Sequence, residues 1–463
     1  FWASGHEVFA GNMSAGDVRM YLLYNYTDCP RDCVTELTLW DYPGSIDGLC
    51  VRDASGALLD FEVVDREQLF YRCHFYRRIR VRCTLPANGY KVVAVAADNF
   101  GYRKAPLNDF MFWRNHPEDA YVLENGLLRA EFDQDTCALL SLEDKRTGQR
   151  VGGSGVPIGY FKFVEEDTSK NMTAWVVGHY LSETPLLRQV RIDSFAYRPD
   201  GLRKSLCFTV PCGVRSSLNV TISLDEGAGF LDFHVVTDWK EFGEAGKSTP
   251  SLLFETAAPD KAEFWYDVPF GLLRRAPARQ DLPANRFVYG FAGGGGIVLG
   301  SDSKNGFRCF GGKMCVNLIR SSSDPDRLPE NYTHDFHVFL GVQRGLDART
   351  LNEFAASFTG GVDYVSFLPK KGTLPAEHSA FEHEGRGVLS AVKRAEKADG
   401  TVYRLYNADT RSAITDVLRP GYRFAKAYLC DSNENVLQEL PVQGGAVSVQ
   451  IPAGAVITVL LRP

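Results

Sequence analysis

Histidines and carboxylates within reach of one another make metal sites and proton-transfer pairs, and THDFHVFLGV is the one local candidate in this sequence. Zinc catalysis needs three protein ligands with a further position left open. His334 and His337 are three apart on an expected strand, so their side chains leave on opposite faces and cannot both grip one ion. Asp335 and His337 share a face. Upstream, His234 alternates with Phe233 and Val235 in LDFHVVTDW, which reads as a single histidine on a strand. The structural alternative is that all of these begin strands and hydrogen-bond across a sheet. Either His234 or His337, converging with a carboxylate in one groove, would serve the proton transfers of a mutarotase-like enzyme.

Glycoside hydrolysis uses two carboxylates about 5 to 5.5 Å apart for retention and wider for inversion. With 57 acidic residues, spacing selects no pair. Asp225, Glu226, Asp232, Asp238, Asp267 and Asp302 lie near expected strand ends, where loops carry function but turns also favour Asp. The glycines at 293–296 lack a following GK[ST] and lead into the strand GIVLGSD instead of a helix, so they make a turn and not a phosphate cradle. No GxSxG motif and no Cys-His pairing stands out.

The elements that must position such groups are strands. LENGLLRAEFDQDTCALLSLEDKRTGQ, residues 123–149, alternates Leu128, Ala130 and Phe132 with Arg129, Glu131 and Asp133, turns at 134–136, resumes at Leu140 and Leu142, and closes at Thr147-Gly148. Residues 18–100 carry short alternating runs (VTELTLW, GLCVRD, LLDFEVVD, RRIRVRCTL, YKVVAVAA) at sandwich spacing. GYRKAPLNDFMFWRNHPE, residues 101–118, breaks the pattern and reads as a linker. Beyond it come LCFTVPC, SSLNVTISLD, GFLDFHVVTDW, RFVYGFA, GIVLGSD and THDFHVFLGV, too many strands for one small sandwich. One helix is expected in DARTLNEFAASFTGG, where Leu351, Phe354, Ala355 and Phe358 share a face and Gly360-Gly361 stop it. After a linker at 369–372, VLSAVKRAE, TVYRLYNA, RFAKAYLCD and AVSVQIPAGAVITVLLRP form a last sandwich. The expected organisation is three β domains in series, at 1–110, 111–370 and 371–463.

Composition agrees. Among 463 residues, 30 Phe and 20 Tyr favour strands, and a net charge of −6 gives no electrostatic reason to hold nucleic acid. A neutral, polar partner fits better. No apolar run reaches the ~18 residues of a membrane-spanning helix. Eleven cysteines, an odd number without CxxC spacing, read as mostly buried thiols in a reducing, cytoplasmic setting. Sequons at Asn12, Asn25, Asn171, Asn219 and Asn331 argue weakly for secretion. The chain opens on Phe1 and is expected to continue N-terminally.

In order along the chain, several stretches resemble the C-terminal β region of the family-38 α-mannosidases. The segment 123–149 is similar to that family's strand pair, an Asn-containing turn followed by a Gly-x-hydrophobic stretch and an Asp-Lys-x-Thr-Gly turn, with Cys137 and Ala138 where the pattern has Gly and a small residue. LLYNYTDCPRDCVTELTL resembles the start of its first β domain, with Tyr26 in place of Pro. SLDEGAGFLDFHVVTDWKE, FWYDVPFGLLRRAP, SDSKNGFRCFGGKMCVNLIRSSSDPD and AVKRAEKADGTVYRLYNA follow in the family's order. The resemblance covers residues 20–463 and implies an all-β fold: a small β-sandwich, a large antiparallel supersandwich of the galactose-mutarotase-like kind, and a small C-terminal β-sandwich.

The family's zinc ligands and nucleophilic Asp lie in an N-terminal catalytic domain and helical bundle whose motifs do not occur here. The resemblance therefore implies a retaining, zinc-dependent α-mannosidase in the intact protein. This chain would hold no catalytic residue and no metal, and its partners would be α-mannoside substrates and the catalytic and helical domains, with no nucleic acid or membrane. By position, Arg320 and Asp302 are expected at the substrate rim, Arg320 as a fork of donors and Asp302 as an acceptor from sugar hydroxyls. Trp265 and Tyr266 are candidates for stacking on a sugar, although buried strand aromatics are the commoner case. The alternatives are a stand-alone carbohydrate-binding β module or a mutarotase-like sugar epimerase.

Overall fold

The computed structural model describes residues 18–65, 67–97, 121–196, 201–367 and 372–463. The linker at 101–118, most of that at 369–372, and the sequon at Asn12 fall outside them. The chain divides into two compact units, one from residues 1–108, 269–272 and 347–463, the other from 109–268 and 273–346. Its described strands form antiparallel sheets, as the alternation in the sequence requires.

In the second unit a ten-stranded and a nine-stranded sheet share one core. Inward residues such as Phe161, Phe254, Val316, Phe233 and Phe336 bury there, and their sequence neighbours leave on the opposite face. The segment at 123–149 supplies strands Val122–Glu124, Leu128–Phe132 and Leu139–Asp144. Its motif residues do architectural work. Asn125 Oδ1 accepts from the amides of Leu127 and Leu128 at 2.8 Å, and its Nδ2 donates to the carbonyls of Asp225 at 2.7 Å and Ala228 at 2.9 Å. One amide thus fixes a turn of one sheet onto a turn of the other. Asp133 Oδ1 accepts from Thr136 N and Oγ1, each at 2.8 Å, and Cys137 follows at φ 53°. That is a left-handed conformation natural to glycine, the residue the family pattern has there. Asp144, with a fully buried side chain, takes Arg146 Nε at 2.9 Å and closes the second turn.

The first unit holds two smaller sandwiches. One pairs Arg31–Trp40, His74–Leu85, Phe61–Val63 and Leu69–Tyr71 in one sheet, facing a five-stranded sheet ordered Asp363–Phe367, Arg19–Asn25, Gly89–Ala97, Glu377–Ser379, with Leu49–Asp53 also on Gly89–Ala97. Strands from both ends of the sequence therefore share this sheet. The other packs Phe381, Tyr403, Leu405, Leu418, Val449 and Val459 between a four- and a five-stranded sheet. The expected helix spans Ala348–Thr359 and buries Leu351, Phe354 and Ala355. Asp347 caps its start, accepting from Thr350 N at 3.0 Å, and the Arg31 guanidinium donates to the carbonyls of Ser357 at 2.8 Å and Gly360 at 2.5 Å at its end.

Candidate functional site

Five strands of the ten-stranded sheet, Gly159–Glu166, Thr249–Ala257, Lys313–Arg320, Gly306–Phe310 and Tyr180–Pro185, turn an unusually polar row away from the core. Register puts Tyr160 opposite Glu255, Glu255 opposite Cys315, and Cys315 opposite Arg308. Above this row lies a groove of about 1170 Å³.

Glu255 is the hub of the groove floor. Its carboxylate accepts from Lys162 Nζ and Lys313 Nζ, each at 2.5 Å, and from the Tyr160 hydroxyl at 2.6 Å. Burial pushes the carboxyl up, but hydrogen bonds from Lys162, Lys313 and Tyr160 outweigh it and hold the pKa at about 2. Lys162, itself buried, has a second partner in Glu183 at 2.7 Å. Arg308 lies 4.1 Å from the Tyr180 ring and donates to Asp281 at 3.0 Å, while the buried Tyr180 hydroxyl has no hydrogen-bond partner among the described residues. A fixed, charged floor and an unmatched hydroxyl suit a polar, uncharged ligand.

The loop 167–179 forms one wall and presents Trp175, 69% exposed, at the groove. Arg320 holds this loop. Its guanidinium meets Glu166 at 2.5 and 3.0 Å and donates to the backbone carbonyls of Thr173 and Val176. Asp324 completes the attachment, accepting from Met172 N at 3.0 Å and, through its carbonyl, from Ala174 N at 2.9 Å. The donor fork expected to meet a sugar is thus engaged by the wall of the groove. Asp302 lies elsewhere, exposed after the strand Gly295–Ser301 of the nine-stranded sheet, where its carboxylate accepts from His337 N at 3.1 Å. The two expected rim residues belong to different sheets. Tyr266 is fully buried in the core, so it offers no face to a sugar, and the Trp265 Nε1 is buried without a partner among the described residues.

On the nine-stranded sheet the histidines sort as the strand period requires. His334 is buried, with Nε2 2.8 Å from the Glu330 carbonyl. His337 and Asp335 point the other way, and register brings His234 directly opposite His337. Their rings stack with centroids 4.3 Å apart. His234 Nε2 is 2.8 Å from Asp335, and His337 Nδ1 is 2.8 and 3.1 Å from the two oxygens of Asp232. Burial lowers the His337 pKa, and Asp232 more than offsets this, leaving it above the ordinary 6.5. Sequence spacing could pair Asp335 with His337 but gave no sign of the partner a hundred residues earlier.

Residues 123–328 match the family model described as "Glycosyl hydrolases family 38 C-terminal domain", and residues 387–461 match "Glycosyl hydrolases family 38 C-terminal beta sandwich domain". The chain belongs to glycoside hydrolase family 38. It carries the family's C-terminal region. Among relatives, alpha-mannosidase 2C1 of Homo sapiens is 26% identical over 382 residues, which is 77% of this chain and 36% of that protein. Alpha-mannosidase 2C1 of Mus musculus is 25% identical over 371 residues, 75% of this chain and 35% of its own length. The chain thus spans about a third of the length of the curated relatives it matches. The fold is shared with a family-38 protein from Enterococcus faecalis (TM-score 0.76, 13% identity, all of this chain and 59% of that one). An α-mannosidase crystal structure from the same organism gives a TM-score of 0.74 at 13% identity, over all of this chain and 57% of that one.

Proposed function

We propose that this chain is the non-catalytic β portion of a retaining, zinc-dependent α-mannosidase that removes terminal α-mannosyl residues from glycans or mannosides. The observation that carries this reading is the pair of family-38 C-terminal matches in their family order along one chain. The catalytic Asp and zinc ligands belong to N-terminal catalytic and helical domains, which are this region's partners. The hydrolytic zinc is held by those domains; among the described residues this chain's own three-ligand group is His234, Asp335 and His337, on two paired strands of the nine-stranded sheet. The groove on the ten-stranded sheet is the surface we assign to carbohydrate, with Trp175 as the stacking face and Arg320 acting through the loop it anchors. Asp302 is retained as an acceptor for a sugar hydroxyl at the end of the other sheet. A cytoplasmic setting is supported by the buried free thiols of Cys50, Cys137, Cys212, Cys309 and Cys315. No helix among the described residues is long and apolar enough to cross a membrane. The family matches do not favour a stand-alone binding module or epimerase.

The test has two arms. This chain alone is expected to leave an aryl α-mannoside intact, and the same chain extended N-terminally through the catalytic and helical domains to hydrolyse it. Hydrolysis by the chain alone, or none by the extended protein, would overturn the reading. For the groove, Trp175→Ala is expected to weaken mannobiose binding to this chain about tenfold, roughly 1.4 kcal/mol, with an unchanged melting temperature because Trp175 is largely exposed. Calorimetric titration of both proteins measures it, and equal affinities would remove the groove from the proposal.

A further inference from the structure

We propose that His234, His337 and Asp335 form a binding site for a divalent transition metal of the zinc class, on the face of the nine-stranded sheet turned away from the core. This runs against the expectation that the chain holds no metal, and it is independent of any mannosidase activity.

The placement follows from the strands. Phe230–Asp238 and Thr333–Arg344 pair antiparallel over nine residues, from Phe230 opposite Gly341 to Asp238 opposite Thr333. Phe233, Val235, Phe336 and Val338 are buried in the core beneath them, so a one-residue slip would turn these apolar side chains outward. The register is therefore fixed, and with it the juxtaposition of His234, His337 and Asp335. The ligating atoms of these three residues all lie within 4.8 Å of one another. A tetrahedral zinc at about 2.0–2.2 Å from each donor holds donors roughly 3.4 Å apart, so a modest closure completes the site. The imidazoles are stacked within 6° of parallel, and their lone pairs converge only after the rings turn. Both side chains are about one-third exposed, and the sp³–sp² torsion that turns an imidazole is broad and soft.

The surroundings are those of a metal site. Asp232 takes Nδ1 of His337, which leaves Nε2 as the nitrogen open to an ion. Asp302 accepts from the His337 amide at 3.1 Å and holds the backbone beneath that ring. Asp232, Asp302 and Asp335 thus surround two neutral-capable rings with carboxylates, a charge balance that a dication satisfies. Imidazole with carboxylate is a donor set for zinc, nickel or copper, and unsuited to calcium, which prefers oxygen alone. Three protein ligands leave a fourth position for water.

The test is calorimetric titration of zinc into the full chain after chelator treatment, with cobalt absorption as a second readout. Wild type is expected to bind a single equivalent, with a cobalt spectrum free of thiolate charge-transfer bands. His234→Ala combined with His337→Ala is expected to abolish that equivalent without changing the melting temperature. Asp232→Asn is expected to weaken it about 10- to 100-fold. Binding that survives in the double variant, a thiolate signature pointing to the cysteines, or no saturable binding by wild type would each overturn the proposal.

Discussion

Replacing Arg320 by Ala is expected to destabilise the second unit by about 3–5 kcal/mol and to free the loop 167–179 from the sheet. The reason is the partner left behind. Glu166 is 1% exposed at its side chain, and Arg320 supplies both of its strong ion-pair contacts, at 2.5 and 3.0 Å. After the substitution that carboxylate keeps the amide of Gly178 at 2.7 Å, which cannot balance a buried charge. The carbonyls of Thr173 and Val176 lose their donor in the same step. Arg320→Lys is expected to recover only part of the loss, because an ammonium cannot make the two-pronged contact and reach the loop carbonyls together. Urea denaturation measures the first effect. Hydrogen exchange at Met172, Ala174 and Gly178, all hydrogen-bonded amides of the loop, measures the second. Unchanged exchange at these three amides would show that Arg320 does not anchor the wall.

Glu255→Ala is the second large effect, about 3–5 kcal/mol, because it strands Lys162 in a buried site with only the half-exposed Glu183 opposite. Its pH dependence is distinctive. The folded-state pKa of about 2 lies below the ordinary 4.5, so the carboxylate's contribution is fully present above 4.5 and is lost as pH falls through about 2. The gap in stability between wild type and Glu255→Ala should therefore be constant at neutral pH and shrink on acidification below 4.5. Denaturation profiles of the two proteins from pH 7 down to pH 3 check this. A gap that stays constant over that range would show that Glu255 is not held ionised by its lysines.

The sequence speaks most clearly where one face is buried. Leu128, Ala130 and Phe132 are in the core and Arg129 and Glu131 are not, as their alternation requires, and the helix over Ala348–Thr359 buries Leu351, Phe354 and Ala355 of the face its spacing selects, with Phe358 half-buried. Pairing across strands is another matter. His234 and His337 are a hundred residues apart, and only register makes them neighbours. Glu255 was hidden for the opposite reason. Thr249–Ala257 is buried along both faces, so its outward carboxylate sits inside what reads as a continuous core strand. Trp175 lies in a loop with no periodicity to mark it. Arg320 was legible as a donor fork but not as one directed at its own chain, since that depends on Glu166 and the carbonyls of 173 and 176. Linker composition, likewise, reports where a strand ends and not which sheet it joins.

The five-stranded sheet that takes Asp363–Phe367 and Glu377–Ser379 beside Arg19–Asn25 and Gly89–Ala97 orders events on the ribosome. The outer flank of Arg19–Asn25 and the Gly89–Lys91 end of Gly89–Ala97 stay open until the whole intervening sandwich has been synthesised, leaving unpaired backbone that invites wrong partners. Nascent chains ending short of Asp363 should thus be the aggregation-prone ones, and a chaperone that shields those early edges would raise the yield of mature protein more than one acting on the finished chain.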